Sequence, residues 1–196
     1  MHRDPSIVLE VDPGVYPPAE DTFLLLSAMT VGKGERALEM GCGSGLLALH
    51  MAKAGAEVAA VDVDERAVAN TLRNAASNGL RLTVLRSDLF AEVEGEFDLL
   101  VFNPPYLRGI AEEKDDLCWA GGPGGIEVTA RFLAQARGHL APGGRALVLV
   151  SSDAEPGAMA RAMEGWNVRT LASRTLFFED LRALELTLRG TPGPFP

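Results

Sequence analysis

The sequence predicts an α/β fold: an open, mostly parallel sheet wound on both faces by helices. Three observations carry this. Short apolar runs alternate with helix-period segments along most of the chain. The run Phe97–Phe102 is almost continuously apolar, as a central strand buried on both faces requires. A glycine-rich loop, Gly41-Cys42-Gly43-Ser44-Gly45, separates the first strand from the helix that follows it.

In order, residues 1–19 are irregular and contain prolines and glycines. Ala19–Met29 predicts a helix, with Glu20 and Asp21 at its start, where acids complement the helix dipole. Arg36–Met40 predicts a strand, Ser44–Lys53 a helix, and Glu57–Val61 a strand ending at Asp62. Glu65–Asn78 is helical, its inward face read as Val68, Leu72, Ala75 and Ala76. Strands follow at Thr83–Arg86 and Phe97–Phe102, then a helix over Ile126–Leu140. Pro142-Gly143-Gly144 is read as a turn, Ala146–Val150 as a buried strand and Pro156–Met163 as a helix. Val168–Leu176 and Arg182–Leu188 form a closing hairpin that adds one antiparallel strand. Residues 1–190 read as a single domain, and 191–196 as a mobile tail.

Composition narrows the function. The chain has 196 residues, 47% hydrophobic and 23% charged, and a formal net charge of −9. That charge disfavours direct nucleic-acid binding. No apolar run approaches the ~20 residues of a membrane span, so a cytoplasmic protein is expected. Cys42 and Cys118 form no Cys-x-x-Cys pair and the three histidines are scattered, so no metal site is expected.

The glycine loop suits a nucleotide-like cofactor at the carboxyl end of a strand. Its G-x-G-x-G spacing differs from the dinucleotide pattern G-x-G-x-x-G. Glu39, two residues before Gly41, would repel a pyrophosphate but pair with an ammonium. S-adenosylmethionine carries an ammonium and no phosphate. Asp62, at the next strand tip, suits the ribose hydroxyls, while Asp64 suits the helix cap. Asp88 could accept from the adenine amino group, with Leu89 against the ring.

Asn103-Pro104-Pro105-Tyr106 ends the fourth strand. The prolines fix the backbone and remove two donors. The Asn103 side-chain oxygen and the Pro104 carbonyl can then accept both hydrogens of one NH₂ group, with Tyr106 stacking on a flat acceptor. A rigid turn leaving the sheet is the alternative reading.

With these residues in hand, the chain resembles the HemK-type N5-glutamine methyltransferases of peptide-chain release factors. Val15-Tyr16-Pro17-Pro18-Ala19-Glu20-Asp21-Thr22 and Trp119-Ala120-Gly121-Gly122 with Gly125-Ile126-Glu127-Val128 are similar to the short eukaryotic and archaeal branch. The resemblance implies a Rossmann-like, doubly wound class I methyltransferase fold with a seven-stranded sheet. It implies contacts to S-adenosylmethionine from Thr22, Glu39, Gly41, Gly43, Asp62, Asp88, Leu89 and Asn103. It also implies a glutamine amide held by Asn103, Pro104, Pro105 and Tyr106. With only about 35 residues before the first strand and glycine loop, the separate helical domain of the longer branch is not expected. The resemblance further implies a small zinc-binding activator subunit, expected to dock on the strand near Thr83–Arg86. The segment 108–125 reads either as a rim of the substrate site or as a solvated mobile loop, and Trp119 as core packing. An adenine-N6 or lysine methyltransferase, an inactive scaffold and a dehydrogenase are the competing readings.

Overall fold

The computed structural model describes residues 1–176 and 179–190. The expected mobile tail at 191–196 lies outside them. Seven strands form one sheet in the order β3-β2-β1-β4-β5-β7-β6. They are β1 (Arg36–Met40), β2 (Glu57–Asp62), β3 (Thr83–Arg86), β4 (Phe97–Phe102), β5 (Leu140–Ser151), β6 (Trp166–Thr175) and β7 (Asp180–Leu188). β1 to β5 run parallel and β7 is antiparallel to both its neighbours. The chain order reverses beside β1, so the carboxyl ends of β1 and β4 border the switch-point crevice.

The helices are α1 (Glu20–Ala28), α2 (Leu46–Lys53), α3 (Glu65–Ser77), α4 (Glu127–Ala136) and α5 (Pro156–Ala162). Alternation along the central strands sends side chains to two cores. Leu38, Leu100 and Phe102 meet Phe132 and Leu133 of α4 on one face. Ala37, Leu99 and Val101 meet Leu25, Leu47 and Met51 of α1 and α2 on the other. β4 is therefore buried on both faces, which is why it carries no polar alternation.

Three elements differ from expectation. α4 stops at Ala136, because Arg137–His139 close into a turn that delivers the His139 carbonyl to the Phe97 N–H at 2.8 Å. Pro142-Gly143-Gly144 is not a terminating turn. It is an irregularity within β5, whose pairing to β4 passes from Phe97–Leu140 directly to Leu99–Arg145. A side chain at Gly144 would lie 2.9 Å from the Phe97 carbonyl oxygen, so glycine is needed there. On α3 the inward face is Ala67, Asn70, Thr71, Asn74 and Ala75, whereas Leu72 and Ala76 are exposed. The helix turns polar residues inward because the N-terminal segment covers it and needs hydrogen-bond partners.

Candidate active site

A cleft of about 370 Å³ opens at the carboxyl ends of β1, β2 and β4. Its floor is the glycine loop. Gly41, Gly43 and Gly45 all have positive φ. A Cβ at Gly41 would crowd the Phe102 ring at 3.1 Å, and one at Gly45 would lie 2.8 Å from Thr71 Cγ2. The loop is pinned from below by the Thr71 hydroxyl, which donates to the Gly43 carbonyl at 3.0 Å.

Glu39 is buried at the tip of β1, and its Oε2 accepts from the Ala48 N–H at 2.7 Å. Gly45, the residue before α2, has no side chain to cap it, so Glu39 supplies the cap from the strand. Burial pushes its carboxyl well above the usual range, and the nearby Asp62 charge adds to this. Asp62 accepts from the Gly43 N–H at 2.9 Å and from the Asp64 N–H at 3.0 Å, and burial raises it too. Asp64 takes the capping role expected of it, accepting from the Arg66 N–H at 2.9 Å.

Asp88 and Leu89 follow β3. Leu89 is buried and holds a left-handed φ of 51°, a strained state for a leucine, braced by the Ser87 hydroxyl donating to its carbonyl at 2.7 Å. Asp88 is exposed and paired to Arg131 at 2.8 Å.

Asn103, Pro104, Pro105 and Tyr106 form the far wall. The Asn103 Nδ2 donates to Asp21 Oδ2 at 3.2 Å and to Thr22 Oγ1 at 3.3 Å. Its Oδ1 is buried with no protein partner. Asp21 also accepts from the Tyr16 hydroxyl at 2.9 Å and the Tyr106 hydroxyl at 3.4 Å. Burial and the Asp21 charge raise both tyrosines, so both stay protonated donors.

Every residue expected to bind cofactor or acceptor lines this one cleft. Two residues of the site were not expected from sequence: Asp21, whose position explains it as a dipole-complementing acid, and its partner Tyr16. Both sit inside the Val15–Thr22 segment, so a signal was there. The segment 108–125 does reach the cleft: Asp115, Leu117 and Cys118 line it. Trp119 is not a core residue. It is 37% exposed and stands at the rim against Gly109. Gly121 and Gly125 are required where the segment returns, since a Cβ at either would lie 2.7 Å from the carbonyl oxygen of Pro105 or Tyr106.

The electrostatics select the ligand. Among the described lining residues, Asp21, Glu39, Asp62, Asp64, Asp88 and Asp115 are acidic and Arg131 alone is basic; Arg131 pairs with Asp88, and Arg66, which does not line the cleft, pairs with Asp64 and Asp115, so Asp21, Glu39 and Asp62 are the carboxyls with no ion pair. Such a cleft disfavours pyrophosphate and accommodates a cationic ligand. This set of acceptors therefore suits S-adenosylmethionine better than a dinucleotide.

Residues 8–174 match the family described as the methyltransferase small domain. The chain belongs to this family. It is a methyltransferase, an S-adenosylmethionine-dependent enzyme. A protein of Methanocaldococcus jannaschii, provisionally named a protein N5-glutamine methyltransferase, is 39% identical over 152 residues, covering 75% of this chain and 77% of that one. Human methyltransferase HEMK2 is 32% identical over 191 residues, covering 88% and 89%. The methyltransferase also shares its fold with the E. cuniculi Mtq2–Trm112 complex, described as methylating the termination factor eRF1. The TM-score is 0.71 at 24% identity, over 88% of this chain and 98% of that one. Among the described residues, no helix of the methyltransferase is long and apolar enough to cross a membrane.

Proposed function

We propose that this methyltransferase acts in the cytoplasm on the side-chain amide of a glutamine, in the Gly-Gly-Gln loop of a peptide-chain release factor. The observation that carries the reading is the buried, unpartnered Oδ1 of Asn103. With Nδ2 committed to Asp21 and Thr22, Oδ1 can only accept, and an incoming NH₂ group supplies the donor. The Pro104 carbonyl takes the second hydrogen. Two fixed acceptors orient the nitrogen and stabilise positive charge developing on it. Tyr106, held by Asp21, packs beside the flat amide.

Thr22, Glu39, Gly41, Gly43, Asp62, Asp88, Leu89 and Asn103 hold the cofactor. When bound, S-adenosylmethionine supplies an electrophilic sulfonium methyl. Glu39 meets its ammonium, Asp62 its ribose hydroxyls, and Leu89 its adenine. An exocyclic adenine amine presents the same two hydrogens. The acidic cleft and the name of the Methanocaldococcus jannaschii relative support the protein amide over it.

The same reading includes a small zinc-binding partner. β3 is a four-residue edge strand with Leu85 40% exposed, and an open edge accepts another strand. Loss of the heterodimer in Leu85→Asp would support docking there, and an unchanged heterodimer would place the partner elsewhere.

The deciding experiment is transfer of labelled methyl to a release factor, against its loop Gln→Ala variant and a duplex DNA control, with the activator supplied. Label on the wild-type factor alone, lost with Asn103→Ala enzyme, is the expected result. Label on DNA alone would overturn the glutamine assignment.

A further inference from the structure

The segment before α1 is held to α3 by a ladder of asparagine side chains. Asn70, Asn74 and Asn78 recur at a spacing of four, a rise of about 6 Å per step. Alternate residues of an extended chain repeat at nearly the same interval. The two match residue by residue. Asn78 Oδ1 accepts from the Val8 N–H at 2.9 Å, Asn74 Oδ1 from Glu10 at 3.0 Å, and Asn70 Oδ1 from Asp12 at 2.7 Å. The Nδ2 groups return the bonds: Asn78 donates to the Val8 carbonyl, and Asn74 and Asn70 both donate to the Glu10 carbonyl. The carboxamides thus replace a neighbouring strand. Arg73 adds an ion pair to Asp12. Ile7 packs on Leu49 and Ala75 beneath.

This strap does not end at α3. It runs through Val15, which is buried, into Tyr16, whose hydroxyl donates to Asp21 Oδ2 at 2.9 Å. Asp21 Oδ2 is the same oxygen that receives Asn103 Nδ2. Asn74 also donates to the Ser44 carbonyl at 2.9 Å, tying strap and glycine loop together.

We propose that the strap is a positioning element of the active site, with Tyr16 as its positioning residue. By filling one side of Asp21, Tyr16 fixes the carboxylate that in turn fixes the Asn103 amide with Oδ1 toward the acceptor. The asparagine ladder holds Tyr16 at that station. Tyr16 and the ladder act through Asp21 and not on the reacting atoms.

The test uses the full chain labelled with ¹⁵N at asparagine only, which gives five side-chain carboxamides. The Asn103 pair is assigned by its loss in Asn103→Ser. Tyr16→Phe, which removes one oxygen, shifts the Asn103 pair and leaves the Asn167 pair in place. Asn74→Ala shifts it as well, although Asn74 makes no bond to Asn103; Asn78→Ala serves if Asn74→Ala folds poorly. An Asn103 pair unmoved by Tyr16→Phe overturns the proposal.

The kinetic arm rests on the function proposed above. Tyr16→Phe lowers kcat about tenfold, the scale of one hydrogen bond, with the Kd for S-adenosylmethionine unchanged. The double variant with Asn74→Ala is no slower than the worse single variant, because both act through Asp21. Additive losses, or a loss confined to cofactor Kd, would make the strap a cofactor wall and sink the idea. If the wild type methylates no glutamine acceptor, that function falls, and the resonances alone decide the strap.

Discussion

Asp21 Oδ2 and Asn103 Nδ2 lie 3.2 Å apart, joining residues separated by 82 positions in the chain. A carboxylate only accepts, so it forces the Asn103 amide to present its nitrogen to α1 and leaves its oxygen free. The orientation of the proposed acceptor site thus belongs to a charge on a neighbouring helix, not to Asn103 itself. Asn103→Ala should lower kcat by about 10²–10³, the scale seen when a preorganised charge-stabilising group is removed. Asp21→Ala should lower it less, by about tenfold, since Asn103 keeps its acceptor but loses its alignment. Steady-state kinetics at saturating cofactor separates the two.

Glu39 and Asp62 are both raised by burial. Carboxyls raised on folding favour the folded state below their unfolded pKa, near 4, and that contribution is lost as pH rises through the folded value. Glu39→Gln removes this penalty and keeps an acceptor for the Ala48 N–H. The ligand-free protein should therefore melt higher at pH 7, by an amount that shrinks toward pH 4. Cofactor affinity should fall about ten- to hundredfold, because the ammonium loses its counter-charge. Calorimetry and thermal melts across pH read both effects.

His50 works with the opposite sign. It is 2% exposed, its Nδ1 bonded to the Leu46 carbonyl at 2.7 Å and its Nε2 accepting from the Asp4 N–H at 3.0 Å. Burial lowers its pKa. Its stabilisation is complete above the unfolded value, about 6.5, and is lost as pH falls through the folded one. Protonation also ends the bond to Asp4. Hydrogen exchange should show the first residues of the chain loosening below about pH 6, and His50→Gln should flatten that dependence.

Two glycines of the same loop should respond differently to alanine. At Gly45, φ is 81° and the new Cβ would meet Thr71 at 2.8 Å; at Gly43, φ is 51° and the nearest atom is 3.8 Å away. Gly43→Ala should cost about 1–2 kcal/mol of backbone strain. Gly45→Ala adds a clash with a buried side chain and should cost about 1–3 kcal/mol more. Urea denaturation distinguishes them.

Much of the site was readable because its residues sit at strand tips. Glu39, Asp62, Asp88 and Asn103 each lie at or just beyond the carboxyl end of a strand, and a parallel sheet brings such positions to one edge. Asp21 was not readable in the same way. An acid in the first turn of a helix has a sufficient local explanation, and its bonds to Tyr16, Tyr106 and Asn103 appear only once α1 lies beside β4. The misread face of α3 has a similar cause. Periodicity counts apolar residues, and Asn70 and Asn74 are buried for their amides.

By itself, then, the sequence determined the α/β class, the succession of strands and helices along the chain, the glycine loop and the Asn-Pro-Pro-Tyr motif, all of which rest on local spacing and backbone chemistry. Tertiary structure decided which atoms of those motifs are already spoken for. It committed Glu39 to capping α2, Asp62 to bracing the glycine loop and Asn103 Nδ2 to Asp21, leaving Oδ1 open. Hydrogen-bond partners of buried groups come from segments far apart in the chain, so only packing could assign them.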